Sequence, residues 1–376
     1  MRLARYVIMV FGLLLLVQTA TLIMARRAEA ESQMVVLFAS NTRFPTSSTS
    51  QIYTVRPDGQ SLRCLTSDPS LYPTFPLWSP DGQRLVITNI QAKLRLATMN
   101  RNGRDFRWIN TPLDYAWNPV WSPDGKWLLF LGTFNETNLY RIRPNSHDLQ
   151  QLTDDPLAES EPVWSPDGAW LAYVVSDSGD NSLWIMHPDG SDLQLIHRQQ
   201  FGPYALVWSA DSRWLYYSVR PKNLGVIYRY DMTTNQSELL HAGPPYFQNI
   251  TPSPDGQSIA FITQNSDDFR FAIWRQDLNT RDVEIIAPLA ENYANLRYSP
   301  DGHWLMFIHR TPSTGRLYRM RPDGSDLQRI TPNDLIVSSA DWQPIIEVAW
   351  HWDGLMMIGV GLMGLASVRL APKMKP

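Results

Sequence analysis

The sequence has a single cysteine in 376 residues, Cys64, which excludes a disulfide within the chain. It also lacks an excess of basic residues, because 33 Lys and Arg stand against 36 Asp and Glu, for a net charge of −3. Nucleic-acid-binding proteins usually carry a basic stripe, so this class is not indicated. With 44% hydrophobic and 18% charged residues, the composition is typical of a globular protein.

Familiar catalytic motifs are missing as well. The sequence contains no G-x-S-x-G nucleophile motif, no G-x-x-x-x-G-K-[ST] phosphate loop and no H-E-x-x-H zinc motif. Two weak metal patterns remain, His197 with His241 in matching places of a repeat, and Asp177 with Asp180 in SDSGDNS. The histidines are peripheral in the repeat, and SDSGDNS is typical of a solvated loop. We therefore predict a protein that is not an enzyme and has no catalytic residue, cofactor or metal.

The first apolar segment contains VIMVFGLLLLV and extends over residues 7–24, with arginines on both sides. As a helix, 18 residues would span about 27 Å, close to the hydrocarbon thickness of a bilayer. We expect residues 1–32 to be a signal anchor. The alternative is a signal peptide that is cleaved after the A-x-A sequence at residues 28–30.

The second apolar segment, LMMIGVGLMGLASV at residues 355–368, follows two tryptophans and precedes Arg369, Lys373 and Lys375. Interfacial tryptophans and terminal basic residues are typical of a membrane helix. We expect residues 345–376 to form a transmembrane helix with a short basic tail, and a packed C-terminal helix is the alternative. Basic residues near both ends predict cytoplasmic termini, which would place the middle of the chain outside the cell.

The middle of the chain is an internal repeat. The element WSPDG, with variants such as PSPDG and YSPDG, recurs at intervals of 43, 43, 44, 44, 46 and 44 residues. A four-stranded propeller blade has a period of about 40–45 residues. Short strands separated by Pro-Asp-Gly turns, such as LYRI at 139–142 and LWIM at 183–186, fit the antiparallel sheet of such a blade.

The WSPDG element itself has a structural interpretation. Pro presets φ in the turn, Asp caps the backbone and Gly takes a positive φ, while Trp fills the wedge between blades. Blade five has WSADS instead, a change that a turn tolerates better than an essential site. The predicted turn and wedge residues are Trp78, Asp81, Gly82, Trp121, Asp124, Gly125, Trp164, Asp167, Gly168, Trp208, Asp255, Gly256, Asp301, Gly302 and Trp342.

This pattern resembles the TolB-type, WD40-like propeller repeat over residues 34–344. The resemblance implies an all-β propeller from the bacterial cell envelope, and it implies little about function because such propellers serve as scaffolds, sensors and enzyme appendages. Seven second strands can be counted, the first of them at 34–40. We predict a seven-bladed propeller over residues 33–344, closed by pairing of that first strand with the segment that ends in Trp342. Both apolar termini would then leave from one face, the face of the SPDG turns.

The predicted ligand site is the mouth of the central channel on the opposite face. Three residues before each Trp-equivalent, five of seven side chains are polar, and several tyrosines precede them. The candidates for ligand binding are Asn118, Glu161, Asn249, Asn295, Tyr72, Tyr115, Tyr204, Tyr246 and Tyr293. A structural alternative is that the aromatic residues cover the blade ends and the polar groups hold channel water.

The sequence therefore predicts a membrane-anchored, extracytoplasmic propeller that acts as a non-catalytic binding or scaffolding module. The expected partner is an envelope protein, a peptide or a glycan, with lipid contacting the terminal helices. Two alternatives are a lyase or hydrolase that uses the channel mouth and a sensor ectodomain.

Overall fold

The computed structural model describes residues 35–42, 50–90, 93–177, 179–200, 202–221, 224–243, 246–264 and 269–344. These residues form seven four-stranded antiparallel sheets, which are the seven blades of a propeller, as predicted. From the inner to the outer strand the blades are: blade 1, β28 (Leu335–Trp342), β1 (Val36–Thr42), β2 (Ser50–Val55) and β3 (Arg63–Cys64); blade 2, β4 (Pro73–Trp78), β5 (Arg84–Asn89), β6 (Arg95–Asn100) and β7 (Arg107–Trp108); blade 3, β8 (Tyr115–Trp121), β9 (Leu128–Thr133), β10 (Thr137–Ile142) and β11 (Gln150–Gln151); blade 4, β12 (Ala158–Trp164), β13 (Leu171–Asp177), β14 (Asp180–Met186) and β15 (Gln194–Gln200); blade 5, β16 (Tyr204–Trp208), β17 (Trp214–Val219), β18 (Gly225–Asp231) and β19 (Gln236–Gly243); blade 6, β20 (Tyr246–Pro252), β21 (Ser258–Gln264), β22 (Phe271–Asp277) and β23 (Val283–Ala290); blade 7, β24 (Asn292–Tyr298), β25 (Leu305–Thr311), β26 (Thr314–Met320) and β27 (Gln328–Arg329).

Blade 1 closes the ring with strands from both ends of the described chain. Val36 in β1 is paired with Trp342 in β28, and the Gln343 N–H donates to the Val35 carbonyl at 2.9 Å. The Gln343 side chain also reaches the Gly82 carbonyl in the SPDG turn of blade 2, at 3.5 Å. The chain therefore enters and leaves the propeller side by side, at the face that carries the SPDG turns, which we call the turn face. The opposite face is the loop face.

Each SPDG turn is held by its own side chains. In blade 3 the Ser122 hydroxyl donates to Asp124 at 2.7 Å and accepts from the Trp127 N–H at 2.9 Å. The Asp124 carboxylate accepts from the Lys126 N–H at 3.0 Å, and Gly125 has a φ of 68°. A side chain resists this left-handed conformation, so glycine is favoured there. In blade 5 Ser212 takes the same conformation, with a φ of 60°, which explains how WSADS keeps the turn.

The core consists of seven hydrophobic clusters, one in each seam between neighbouring blades. Trp121 of blade 3, for example, packs with Val86 and Leu96 of blade 2. Burial of such a side chain contributes about 2 kcal/mol, and a tryptophan has the area to fill the widening gap between two sheets. The sequence-predicted tryptophans are therefore wedges between blades.

The terminal segments 1–32 and 345–376, predicted as membrane anchors, lie outside the described residues. In the described part of the chain, no helix has the length and apolar character that a membrane span needs.

Candidate functional site

The inner strand of blade 1 has a register shift at Ser338, and the inner strands of the other six blades share a β-bulge midway along the channel. In β4, Thr74 pairs with Thr88 and Leu77 with Val86, so Phe75 and Pro76 face a single residue of β5. The first bulge residue has a left-handed backbone in every case: Phe75 (φ 48°), Asn118 (54°), Glu161 (53°), Ala205 (52°), Asn249 (49°) and Asn295 (56°). These residues stand three positions before each Trp-equivalent, so the structure places them inside the inner strands rather than in the linking loops.

A bulge explains why asparagine recurs at this position. Left-handed backbone is tolerated best by Gly, Asn and Asp, whereas most other side chains pay about 1–2 kcal/mol. Asn118, Asn249 and Asn295 fit this preference, and Phe75, Glu161 and Ala205 do not. The conformation belongs to the fold, because it recurs in six blades. The identity of the side chain that it presents to the channel differs from blade to blade.

In blades 6 and 7 the bulge side chains hydrogen bond to the next blade. The Asn249 amide oxygen accepts from the Asn295 N–H at 2.9 Å, and the Asn295 amide donates to the Ala340 carbonyl at 2.7 Å. The Asn295 oxygen also accepts from the Ala340 N–H, at 3.4 Å. The inner strand has no strand partner on its channel side, so these side chains satisfy backbone groups that would otherwise depend on water.

The residue directly before each Trp-equivalent adds a second layer in blades 6, 7 and 1. The Thr251 hydroxyl accepts from the Tyr298 N–H at 3.3 Å, and the Asp341 carboxylate accepts from the Trp78 N–H at 3.1 Å. Arg297 lies 3.4 Å from the other Asp341 oxygen. Burial raises the pKa of Asp341, while Arg297 and backbone N–H groups act in the opposite direction. We call Asn249, Thr251, Asn295, Arg297 and Asp341 the hydrogen-bonded arc.

The remaining part of the channel has a different surface. Its bulge residues are Phe75, Asn118, Glu161 and Ala205, and within the described residues none of these four side chains hydrogen bonds to a neighbouring blade. The first three are exposed, Phe75 at 57%. The second layer is aliphatic here, with Leu77, Val120, Val163 and Val207. We call Phe75, Asn118, Glu161 and Ala205 the open arc.

Glu161 is the charged residue of the open arc. Its carboxylate has no ion pair or hydrogen bond in the part of the chain that the structure describes. Burial raises the pKa of Glu161 even though its surface is exposed to water, because the surrounding inner strands displace much of the solvent around the channel. An unpaired carboxylate in such a place favours a ligand that brings a hydrogen-bond donor or a positive charge.

The tyrosines that the sequence predicted as ligand-binding candidates differ in their exposure in the structure. Tyr115 and Tyr204 are 43% and 41% exposed, at the start of β8 and β16 on the loop face. Tyr293 is instead buried in the seam between blades 6 and 7, where its hydroxyl donates to the Pro288 carbonyl at 2.8 Å. Tyr72 is partly buried, and its N–H donates to Asn89. Tyr246 begins β20.

One buried carboxylate was missed by the sequence reasoning. Glu159 lies in the seam between blades 3 and 4, is 3% exposed, and has no hydrogen-bond partner for either carboxylate oxygen among the described residues. Burial raises the pKa of Glu159 to about 7, against the opposing effect of the nearby Thr153 hydroxyl, and the Asp155 and Glu136 carboxylates raise it further. In the six other blades the matching residue is Pro73, Ala116, Pro203, Phe247, Tyr293 or Val337, so aligning the repeats would have marked this glutamate.

The residues considered for metal binding contact aromatic rings or an arginine. His197 contacts the rings of Tyr217 and Tyr228, and His241 packs on Phe247 and Phe261. Asp177 and Asp180 both face Arg198, at 3.3 and 3.9 Å. Within the described ranges, no group of three His, Cys, Asp or Glu side chains has the geometry of a metal site.

The fold and the channel define the chain as a seven-bladed β-propeller with WSPDG-type repeats. The sequence model of the TolB beta propeller domain matches residues 107–244 and 158–346, which together cover more than half of the chain. The chain therefore belongs to the TolB-type β-propeller family, as the repeat resemblance predicted. No curated protein matches it in sequence.

Solved structures with a similar fold include proteins of different function. TolB from Acinetobacter baumannii is 17% identical with a TM-score of 0.55, and the match covers 83% of each chain. An oligogalacturonate lyase from Vibrio parahaemolyticus is 12% identical with a TM-score of 0.63, over 75% of this chain and 90% of the lyase. A puromycin hydrolase is 16% identical with a TM-score of 0.66, over 80% of this chain and 52% of the hydrolase. At these identities the likeness concerns the fold alone.

Proposed function

We propose that this protein is a membrane-anchored, extracytoplasmic propeller that binds a peptide, a protein segment or a glycan at the loop-face mouth of its channel, without catalysis. The observation that carries the proposal is the difference between the two arcs. The side chains of the hydrogen-bonded arc are occupied by neighbouring blades, whereas Asn118 and Glu161 of the open arc are exposed and have no protein partner in the described residues.

The chemistry of the open arc supports a polar ligand with an apolar face. Asn118 offers both a donor and an acceptor, and Glu161 offers two acceptor oxygens. Phe75 gives an exposed ring in the next blade, and Tyr115 and Tyr204 give two more at the loop face. Aromatic rings combined with a few polar groups are typical of surfaces that bind peptides and sugars.

Anchoring to the membrane is supported by the two apolar segments in the sequence and by the closure of blade 1. Val35 and Gln343 lie side by side at the turn face, so segments that continue from them start on the same side of the ring. The open mouth at the loop face then points away from the bilayer. A propeller held in this way presents its binding surface to the extracytoplasmic space.

The binding proposal is tested with the purified full-length chain in nanodiscs. A random peptide display library and a glycan array are screened, and each binder is titrated against wild type, Asn118→Ala and Glu161→Gln. We expect binding to weaken about tenfold in each variant, because each loses one or two direct hydrogen bonds to the ligand. Lys126→Ala, an exposed change at the turn face, is the matched control and retains full affinity.

Binders whose affinity is unaffected by both open-arc variants would contradict this site. A catalytic role at the channel mouth, as a lyase or a hydrolase, is distinguished by incubating each binder with the protein. If wild type converts a binder to product and Glu161→Gln does not, the protein is an enzyme and the proposal of a non-catalytic binding module is wrong.

A further inference from the structure

Charge is distributed unevenly over the turn face. Blades 1 and 2 have three turns on this face, which join β2 to β3, β4 to β5 and β6 to β7. With the strand residues beside them, these turns carry six arginines and three aspartates: Arg56, Arg63, Arg84, Arg101, Arg104 and Arg107, with Asp58, Asp81 and Asp105. In the corresponding turns of blades 3 to 7 the aspartates outnumber the basic residues. The turn face therefore has a positive sector over blades 1 and 2 although the whole chain has a net charge of −3.

Four arginines of the positive sector project into solvent without a partner. Arg56, Arg63, Arg101 and Arg104 are all exposed, and none pairs with a carboxylate in the part of the chain that the structure describes. Arg107, by contrast, forms an ion pair with Asp105 at 2.8 Å. We call Arg56, Arg63, Arg101 and Arg104 the basic sector. A guanidinium group that is free and exposed is suited to bind phosphate oxygens in a fork geometry.

The basic sector forms one surface across two blades. The backbone of Gly103, between Arg101 and Arg104, packs so closely on blade 1 that a side chain there would collide with the Leu65 carbonyl. Leu65 follows directly after strand β3, which begins with Arg63. The blade 2 turn that carries Arg101 and Arg104 therefore lies against the outer edge of blade 1, at a residue two positions after Arg63.

The basic sector also flanks the place where the chain leaves the propeller. The Gln343 side chain contacts the Gly82 carbonyl of blade 2, and the Arg101 N–H donates to the Gln83 carbonyl one residue further along the same turn. The turn that carries Arg101 and Arg104 thus adjoins the exit point of the two terminal segments.

We propose that the basic sector binds the anionic phosphate headgroups of the membrane in which the protein is anchored. The inference rests on the proposed anchoring and adds a defined orientation to it. Phosphate contact draws blades 1 and 2 toward the bilayer, while the aspartate-rich turns of blades 3 to 7 are repelled from the same surface. The disc is therefore tilted, and its channel mouth on the loop face is inclined toward the side of the basic sector.

The experiment uses Cys64, the exposed single cysteine, which directly follows Arg63. The full-length chain is labelled at Cys64 with a fluorophore and reconstituted in neutral phosphatidylcholine vesicles or in vesicles with 30% phosphatidylglycerol. A nitroxide on the lipid headgroup quenches the fluorophore when it approaches the surface. We expect at least twofold stronger quenching in the anionic vesicles at low salt, and loss of the difference at high salt because exposed charges are screened.

Two variants and one flotation measurement decide the outcome. Arg101→Glu combined with Arg104→Glu is expected to abolish the difference between the two vesicle types. Lys93→Glu, an exposed charge reversal on the loop face of the same blade, is expected to retain it. If the chain floats with both vesicles but is quenched equally, the lipid assignment is overturned, and an acidic protein becomes the better occupant. A chain that floats with neither vesicle overturns the anchoring itself and this inference with it.

Discussion

Blades 6, 7 and 1 are joined along the channel by side chains that bond to the backbone of the next blade, whereas blades 2 to 5 present free polar groups and aliphatic residues there. The two arcs share the same bulge and the same left-handed backbone. They differ in what the side chain does after the backbone has positioned it. In one arc it completes the hydrogen bonding of the ring, and in the other it has no bond to the next blade among the described residues and is the side chain that we propose for ligand binding. Equivalent positions of a repeated fold can therefore bond to the next blade in one part and stay without such a bond in another.

The largest expected effect concerns Glu159, two residues before Glu161 in the same strand of the open arc. Its pKa of about 7 in the folded state stands above the ordinary value of 4.5, so the folded state holds the proton more tightly. The contribution of Glu159 to stability is greatest below about pH 4.5 and is lost as the pH rises through 7. The Glu159→Gln variant is expected to be about 3 kcal/mol more stable than wild type at pH 9 and similar at pH 4.

Urea unfolding of the full-length chain at several pH values measures this difference. Glu136→Gln is the control, because Glu136 is exposed and contributes only a minor part of the shift. An equal pH dependence in wild type and Glu159→Gln would show that the seam between blades 3 and 4 does not hold a protonated glutamate.

The next effect compares equivalent asparagines of the two arcs. Asn295→Ala removes two hydrogen bonds to Ala340 and is expected to cost about 2 kcal/mol more than Asn118→Ala, which removes no bond between blades. Both residues have a φ near 55°, so the penalty for alanine in left-handed backbone is common to both variants and cancels. Denaturant unfolding at pH 7 gives the comparison. Equal losses would mean that the hydrogen-bonded arc does not stabilise the ring.

The smallest effect comes from moving the asparagine of one arc into the other. Ala205 has a φ of 52°, which alanine tolerates poorly and asparagine tolerates well. The Ala205→Asn variant is expected to be stabilised by about 1 kcal/mol. Thermal unfolding checks this gain, with Ala205→Val as a control that should be destabilised by the same backbone. A loss of stability in Ala205→Asn would indicate that packing against blade 6 outweighs backbone strain at this position.

The sequence was sufficient to predict the ring. The repeat length, the SPDG chemistry and the count of second strands predicted seven blades. The half-elements at 34–40 and 342–344 predicted that the first strand pairs with the last, and the structure places Val36 opposite Trp342. These features depend on local turn geometry and on burial, which a single sequence records directly. The predicted membrane segments stay a prediction.

The repeat spacing identified a set of equivalent positions on the inner strands, but it predicted neither their bulged backbone nor their division into two arcs, and ligand binding there stays a prediction. The spacing before each Trp-equivalent located the channel residues, yet the bulge and the left-handed backbone are invisible to a period-two pattern. The division into two arcs depends on whether Asn249 and Asn295 reach the next blade, a three-dimensional distance that spacing does not provide. The burial of Tyr293 has the same origin, because its position in β24 turns the ring into the seam.

The closing strand has a consequence for biosynthesis. β28 is translated last of the 28 strands that the structure describes, so the ring stays open until Trp342 has left the ribosome. A chain that stops earlier leaves Phe38 and Met306 of the seam between blades 7 and 1 without the Leu335, Val337 and Trp342 side chains that complete it. Exposed apolar surface of this kind attracts proteases and promotes aggregation. Only a polypeptide that extends to Trp342 can therefore close this seam.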